Sequence, residues 1–280
     1  MQSISNLAHE LKLTYIRDCE EDAIRQARHL KQDPAAFLEN LLVQEMERRA
    51  GNGIARRIKE AKFPIKKYLV DFDKKKYDPQ FIPKFEELET LDFIENKENI
   101  ILIGTPGAGK THYAIALGIS ACMQGKSVLF SSVPNLVVEL REAMNQMQLS
   151  VLRRRFERFK LVILDELGYV SFDKSSCEML FNLLSNRYGK GSIIVTTSLA
   201  FDRWENVFAD PVLTGAMIDR LAHRAHVLDI TREHGGRFEE TIAWLSNRAD
   251  TGLGQPELTQ DIQGINAARA IHGATIAQDV

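Results

Sequence analysis

The octapeptide Gly104-Thr105-Pro106-Gly107-Ala108-Gly109-Lys110-Thr111 lies between an apolar run, Ile100–Ile103, and a helix-like run, His112–Ala121. The spacing G-x-x-x-x-G-K-[ST] needs a buried strand that turns sharply into a helix. Its glycines let successive backbone N–H groups converge on one point, and the helix N-terminus adds partial positive charge there. Such a concavity is built for a polyphosphate. Lys110 would give its full charge to the β- and γ-phosphates, and the Thr111 hydroxyl would ligate Mg²⁺. The sequence therefore predicts ATP and Mg²⁺ as ligands, with all eight residues around the nucleotide. A chance glycine-rich turn would not explain the strand before it and the helix after it.

The rest of the chain supplies the scaffold such a loop requires. KSVLFSS, KLVILDE and GSIIVTTS are short, apolar and β-branched, without polar alternation, as parallel strands covered on both faces are. AHVLDI, near 225–230, is a candidate fifth strand. Helix-like segments lie between the runs, so the fold class is α/β, a parallel sheet with crossover helices over residues 99–248. Residues 1–60 read as a small all-α domain. Leu11, Tyr15, Cys19 and Ala23 recur at helical spacing, and Phe37, Leu38, Leu41, Leu42, Glu45 and Met46 form a second stripe. Asp33-Pro34 is a helix start, with Asp33 as cap and Pro34 in the first position. Residues 61–98 hold three prolines, several aromatics and a lysine run. They read as a connector packed on the core, closing with a helix near 84–97. Residues 249–280, rich in Gly, Gln, Ala and Thr, read as a mobile tail.

A second motif follows at the end of the LVILDE run. Asp165 and Glu166 come after four apolar residues, and the carboxyl ends of strands are where an open α/β sheet binds ligands. Asp165 would hold the metal, and Glu166 would orient and deprotonate an attacking water. Asp165 alone would suit a switch or a small-molecule kinase; the Asp-Glu pair points to hydrolysis. The run GSIIVTTS ends in polar residues that could touch the γ-phosphate or the water. Ser198 is the first candidate and Thr197 the second, against the alternative of a strand end facing solvent. Arg220, in a helix-like stretch before the last strand, is either an arginine finger or a surface arginine.

With a net charge of −2, no global field draws the chain to nucleic acid, so contact must come from patches. Between Arg48 and Lys76 there are eleven basic residues and three acids. Arg48, Arg49, Arg56, Arg57, Lys59, Lys62, Lys66 and Lys67 are the DNA-contact candidates there. Arg153, Arg154, Arg155 and Arg158 form a second cluster that would track a DNA backbone or face solvent from a core helix. Neither cluster carries a base-reading signature, so contact with little sequence preference is expected. The three cysteines have no metal-type spacing, no run is long enough for a membrane span, and the N-terminus lacks a signal-peptide core. The expectation is a cytoplasmic chain with reduced thiols and no membrane partner.

These residues together resemble the IstB/DnaC branch of the AAA+ ATPases, and within it the IstB-type transposition helpers. The likeness is carried by RRIKEAKFPIKKYLVDFD, by FIENKENIILIGTPGAGKTHYAIALGISACMQGKSVLFSS, by LVILDELGY and by AMIDRLAHRAHVLDI. It implies an AAA+ core behind a small helical domain, and a homo-oligomeric ring or spiral with ATP between neighbours. It places Arg220 at the arginine-finger position and Arg237 as a sensor-2 candidate. Ser198 stands where the branch usually has Asn. The resemblance also implies assembly on duplex DNA and recruitment and stimulation of a transposase. A helicase loader of the DnaC type, acting in replication, is the alternative within the same branch.

Overall fold

The structure is a computed structural model and describes residues 3–169, 172–208 and 210–230. It divides into two compact units, one ending at Lys59 and the other beginning at Glu60. Among the described residues, no helix is long and apolar enough to cross a membrane.

The first unit is helical. Helix α1 (Ile4–Glu10) is capped by Ser3, whose hydroxyl accepts from the Asn6 amide at 3.2 Å. Helix α3 (Pro34–Ala61) starts as its sequence predicts, with Asp33 accepting from Ala35 N at 2.9 Å and Ala36 N at 3.3 Å. Helix α2 (Thr14–His29) has no local side-chain cap. Its cap comes from α3. Glu45, only 3% exposed, accepts from the amides of Thr14 (3.0 Å), Tyr15 (2.7 Å) and Ile16 (3.4 Å), and from Arg49 Nε at 3.0 Å. The periodicity grouped Glu45 with an apolar stripe; it is instead the anion at a helix N-terminus. Leu38, Leu42 and Met46 of the same stripe are exposed.

Burial raises the Glu45 pKa, but the three amides and Arg49 outweigh it and hold the carboxyl below its ordinary value. A depressed carboxylate stabilises the fold above its unfolded pKa. That stability is lost as pH falls through the folded pKa. Replacing Glu45 with Ala should cost about 1–2 kcal/mol. Hydrogen exchange at the Thr14–Ile16 amides would report it as roughly tenfold or greater acceleration.

The second unit opens with single 3₁₀ turns at Leu69–Asp71, Lys74–Lys76 and Pro79–Phe81. Two short helices follow, α4 (Ile82–Glu89) and α5 (Asp92–Glu95), rather than the one helix the sequence suggests near 84–97. Leu91 breaks it: its φ is +68°, and its side chain is 2% exposed. The α/β core then runs β1 (Asn99–Ile103), α6 (Lys110–Met123), β2 (Val128–Ser132), α7 (Val133–Asn145), α8 (Leu149–Arg158), β3 (Leu161–Leu167), α9 (Lys174–Ser185), β4 (Ser192–Thr197), α10 (Glu205–Phe208), α11 (Pro211–Ala222) and β5 (Ala225–Asp229).

The five strands form one sheet in the order β2-β3-β4-β1-β5, all parallel. The fifth strand the sequence suggested is therefore present. Each apolar run is buried as a two-faced strand must be; Ile100, Ile101, Leu102 and Ile103 are fully inaccessible. One face of the sheet packs on α7, α9 and α11 through Val133, Leu136, Leu180, Leu184, Met217 and Leu221. Arg187, at 1% exposure, fastens the start of β4 to the end of α8. It donates to the carbonyls of Phe156, Phe159, Lys160 and Ser192. The strand order matters for function. It puts β4 between β1 and β3, so the end of β4 lies between the phosphate loop and the acid pair.

Candidate functional site

The loop leaves β1 at its carboxyl end. Gly104 N donates to Thr197 O at 3.2 Å, which continues the β1–β4 ladder by one residue. Ala108 N donates to Thr105 O at 3.1 Å and closes the turn. Gly107 (φ +80°) and Gly109 (φ +97°) adopt backbone that other residues reach only under strain. Gly109 is the N-terminal flank of α6, so the first amides of that helix open toward the loop. Lys110 Nζ donates to the carbonyls of Gly104 (2.7 Å) and Thr105 (3.0 Å), which holds its charge across the mouth of the loop.

Beside the loop stands a line of three oxygen groups. Asp165 Oδ1 accepts from Thr111 Oγ1 at 2.8 Å and from Thr196 Oγ1 at 2.6 Å. Asp165 is 5% exposed. One hydroxyl and one carboxylate from separate elements are hard oxygen donors of the kind Mg²⁺ takes when it draws its other ligands from phosphate and water. Thr111 and Asp165 therefore fit the ion the sequence pattern implies.

The next residue is placed by a defect in the sheet. Leu164 pairs with Val195 and Leu167 with Thr197, so Asp165 and Glu166 together oppose Thr196 alone. This is a β-bulge, and it redirects the strand end. Glu166 takes φ +65°, its side chain is exposed, and its amide donates to Thr196 Oγ1 at 3.0 Å. Gly168 (φ +102°) completes the turn; a Cβ there would lie 2.6 Å from Leu199 Cδ1. Thr196 thus bonds both members of the acid pair.

The sequence did not single out Thr196. It named Ser198 and then Thr197. Thr197 is buried and its hydroxyl accepts from the Leu199 amide at 3.0 Å, within the turn after β4. Ser198 is half-buried in that turn. Strand parity was the available signal, since a β4 side chain must oppose Asp165, but the bulge shifts the count by one.

Arg220 lies elsewhere. It sits in the last turn of α11, exposed, with its guanidinium carbon 5.2 Å from the Tyr188 ring centroid. It lines a cavity of about 320 Å³ with Lys97, His223 and Arg224. Asn99 and Ile193 also line that cavity, which places it at the amino ends of β1 and β4, the edge opposite the phosphate loop. Arg237 lies outside the described residues.

The basic candidates have varied surroundings. Arg48 pairs with Asp18 at 3.1 Å, and Arg49 is held by Glu45 and by the Lys12 carbonyl at 3.0 Å. Arg56 and Lys59 are exposed, and Arg57 is half-buried. In the second unit Lys62 and Lys66 are exposed and Lys67 half-buried. On α8, Arg155 pairs with Glu139 at 3.0 Å, Arg153 lies 3.9 Å from Glu157, and Arg158 stacks on Phe159 at 4.9 Å; Arg154 is exposed.

Comparison with known proteins fits this geometry. The model of the IstB-like ATP binding protein family matches residues 6–238. The chain belongs to that family. It is 34% identical over 264 residues to the ATP-binding protein assigned to insertion sequence IS21 in Pseudomonas aeruginosa, covering 94% of this chain and 99% of that one. It is 36% identical over 197 residues to the one assigned to insertion sequence IS5376 in Geobacillus stearothermophilus, covering 70% of this chain and 78% of that one. Among solved structures, AMPPCP-bound DnaA from Aquifex aeolicus superposes with a TM-score of 0.52 at 18% identity, over 73% of this chain and 65% of that chain. DnaI superposes with a TM-score of 0.51 at 17% identity, over 58% of this chain and 90% of that chain. At such identities the likeness is one of fold. Family and fold together place this IstB-like protein in the AAA+ P-loop ATPase class.

Proposed function

We propose that this IstB-like protein hydrolyses Mg²⁺-bound ATP at Gly104–Thr111, assembles through that nucleotide on duplex DNA, and there recruits and stimulates a transposase. The observation that carries the catalytic half is the Thr111–Asp165–Thr196 line beside the loop, with Glu166 turned out of the sheet at its end.

The loop amides and Lys110 bind and orient the triphosphate. Thr111 and Asp165 would hold Mg²⁺, which when bound neutralises charge on the β- and γ-phosphates. Glu166 accepts a proton from a water whose oxygen bonds to the γ-phosphorus. The bond from that phosphorus to the β–γ bridging oxygen breaks, leaving ADP and phosphate. Arg220 sits at the opposite edge from its own loop, so in this reading it serves a neighbouring copy's γ-phosphate, and ATP sits between subunits. Ser198 and Thr197 keep a place near the γ-phosphate, with Thr196 aligning both acids from below. Arg237 is retained as a nucleotide contact beyond the described residues. Residues 61–98 serve in this reading as a connector to the core; the tail, residues 249–280, lies outside the described residues.

The DNA half rests on the exposed Arg56, Lys59, Lys62 and Lys66 and the half-buried Arg57 and Lys67, with Arg154 as a second contact, and on the insertion sequences to which the relatives are assigned. The titration that tests it uses a short duplex with a slowly hydrolysed ATP analogue at several salt concentrations. Binding should need the nucleotide and fall steeply as salt rises. Replacing both Lys66 and Lys67 with Ala should weaken it about tenfold or more and flatten the log–log salt slope by about one per lysine. A marked preference for single strands would move the assignment to a helicase loader. Release of phosphate without any acceptor would dispose of a small-molecule kinase.

A further inference from the structure

The phosphate loop is gripped from outside the α/β core. We propose that Tyr77 is a positioning residue of the nucleotide site, holding the amide of Gly109 in its ligand-facing direction. The claim rests on the reading of Gly104–Thr111 as the ATP loop.

Tyr77 lies in the segment before β1 and is 8% exposed. Its hydroxyl donates to the Ala108 carbonyl at 2.6 Å in a buried setting. The described peptide bonds include no cis form. In a planar trans peptide the C=O and the N–H point in opposite directions. Fixing the Ala108 carbonyl on Tyr77 therefore fixes the Gly109 N–H facing away from it. Ala108 sits between two glycines in left-handed backbone, so this peptide plane has few steric restraints of its own. The hydroxyl replaces that missing restraint.

Two further observations support this. A Cβ on Gly109 would collide with the Tyr77 hydroxyl and lie 3.4 Å from Phe72 Cε2. Gly109 is thus required by its φ and also by the close approach of this tyrosine. Tyr77 is itself locked. Its ring stacks on Phe72 at 5.1 Å and meets Phe85 edge-on at 5.4 Å. Phe72 in turn packs on His112 at 5.6 Å and Tyr113 at 4.8 Å, both on α6. Between Phe72 and Tyr77 the chain makes a single 3₁₀ turn, pinned by the half-buried Lys74–Glu89 ion pair at 2.8 Å. A rigid aromatic clamp thus delivers one hydroxyl to one loop carbonyl.

The same cluster provides the control. Tyr113 is fully buried, and its hydroxyl donates to the Phe85 carbonyl at 3.0 Å, away from the loop. Tyr77→Phe and Tyr113→Phe each remove one buried hydroxyl and keep the ring. The full-length proteins would be titrated with a fluorescent ATP analogue, assayed for phosphate release and melted. Tyr77→Phe should weaken nucleotide binding and raise KM by about tenfold, the scale of one buried hydrogen bond, with kcat within about twofold. Tyr113→Phe should lower the melting temperature and leave both constants within about twofold. The proposal is overturned if Tyr77→Phe binds like wild type, or if Tyr113→Phe weakens binding as much. If wild type binds but does not turn over, hydrolysis fails and the Tyr77 shift still decides this claim. If wild type binds no nucleotide, both readings fall.

Discussion

Replacing Arg220 with alanine should lower ATP turnover by about a thousandfold or more while nucleotide affinity stays within a few-fold. The expectation follows from where the residue lies. Strands of five residues span about 16 Å. Arg220 lines a cavity at the amino ends of β1 and β4, and the loop leaves β1 at its carboxyl end. Its guanidinium therefore cannot neutralise charge on its own chain's nucleotide. It is nevertheless held ready. It stacks on Tyr188, whose hydroxyl is hydrogen-bonded to His223 Nδ1 at 2.7 Å. A cation held at an exposed edge suits a heterologous contact, in which one subunit's edge meets the next subunit's loop. The kinetics should also change form. If a neighbour supplies the arginine, specific activity rises with protein concentration in wild type and stays flat in the variant. Arg224→Ala, on the rim of the same cavity, should change turnover by no more than a few-fold. An Arg220→Ala protein as active as wild type would remove the neighbour from the mechanism.

Four of the five strands were legible because they are buried almost throughout, and continuous apolar runs such as Ile100–Ile103 admit few other fates; the edge strand β5, half-buried at Ala225, His226 and Val227, carries a weaker pattern. The loop was legible because its chemistry is local: two glycines at left-handed φ, a lysine and a threonine in fixed register. Asp33 was legible as a cap because its partners are two and three residues on. The residues that escaped act over long separations. Thr196 acts on Asp165 from 31 residues away, through a bulge that no periodicity reveals. Glu45 caps a helix 31 residues earlier and looks in sequence like one more position on a stripe. Tyr77 reaches the loop across the same distance from a segment without regular structure. The charge run from Arg48 to Lys76 is legible as a count, though not in its surroundings. Arg48 and Arg49 have partners on α2 and α3 and in the turn before α2, which no charge count reveals.

Glu166→Gln should cut turnover by about 10²–10⁴-fold and leave nucleotide affinity essentially unchanged. Gln has the same shape, so the bulge, the left-handed backbone and the Thr196 bond to the residue 166 amide should survive. What is lost is the carboxylate that, in the proposed mechanism, takes the water's proton. The backbone supports a functional role independently of the carboxylate. A non-glycine residue at φ +65° costs about 1–2 kcal/mol, and the surrounding structure must hold it there. Glu166→Gly should therefore relieve strain and raise the melting temperature slightly, yet be as inactive as Glu166→Gln. A protein that lost stability and kept its turnover would make residue 166 structural. The two inactive variants also test each other. Arg220→Ala subunits keep Glu166, and Glu166→Gln subunits keep Arg220. In an equal mixture about a quarter of heterologous interfaces should join an intact carboxylate to an intact arginine. Turnover should then recover to a sizeable fraction of wild type, far above either variant alone. A mixture as inactive as its components would mean that the carboxylate and the arginine are not brought together by neighbouring copies.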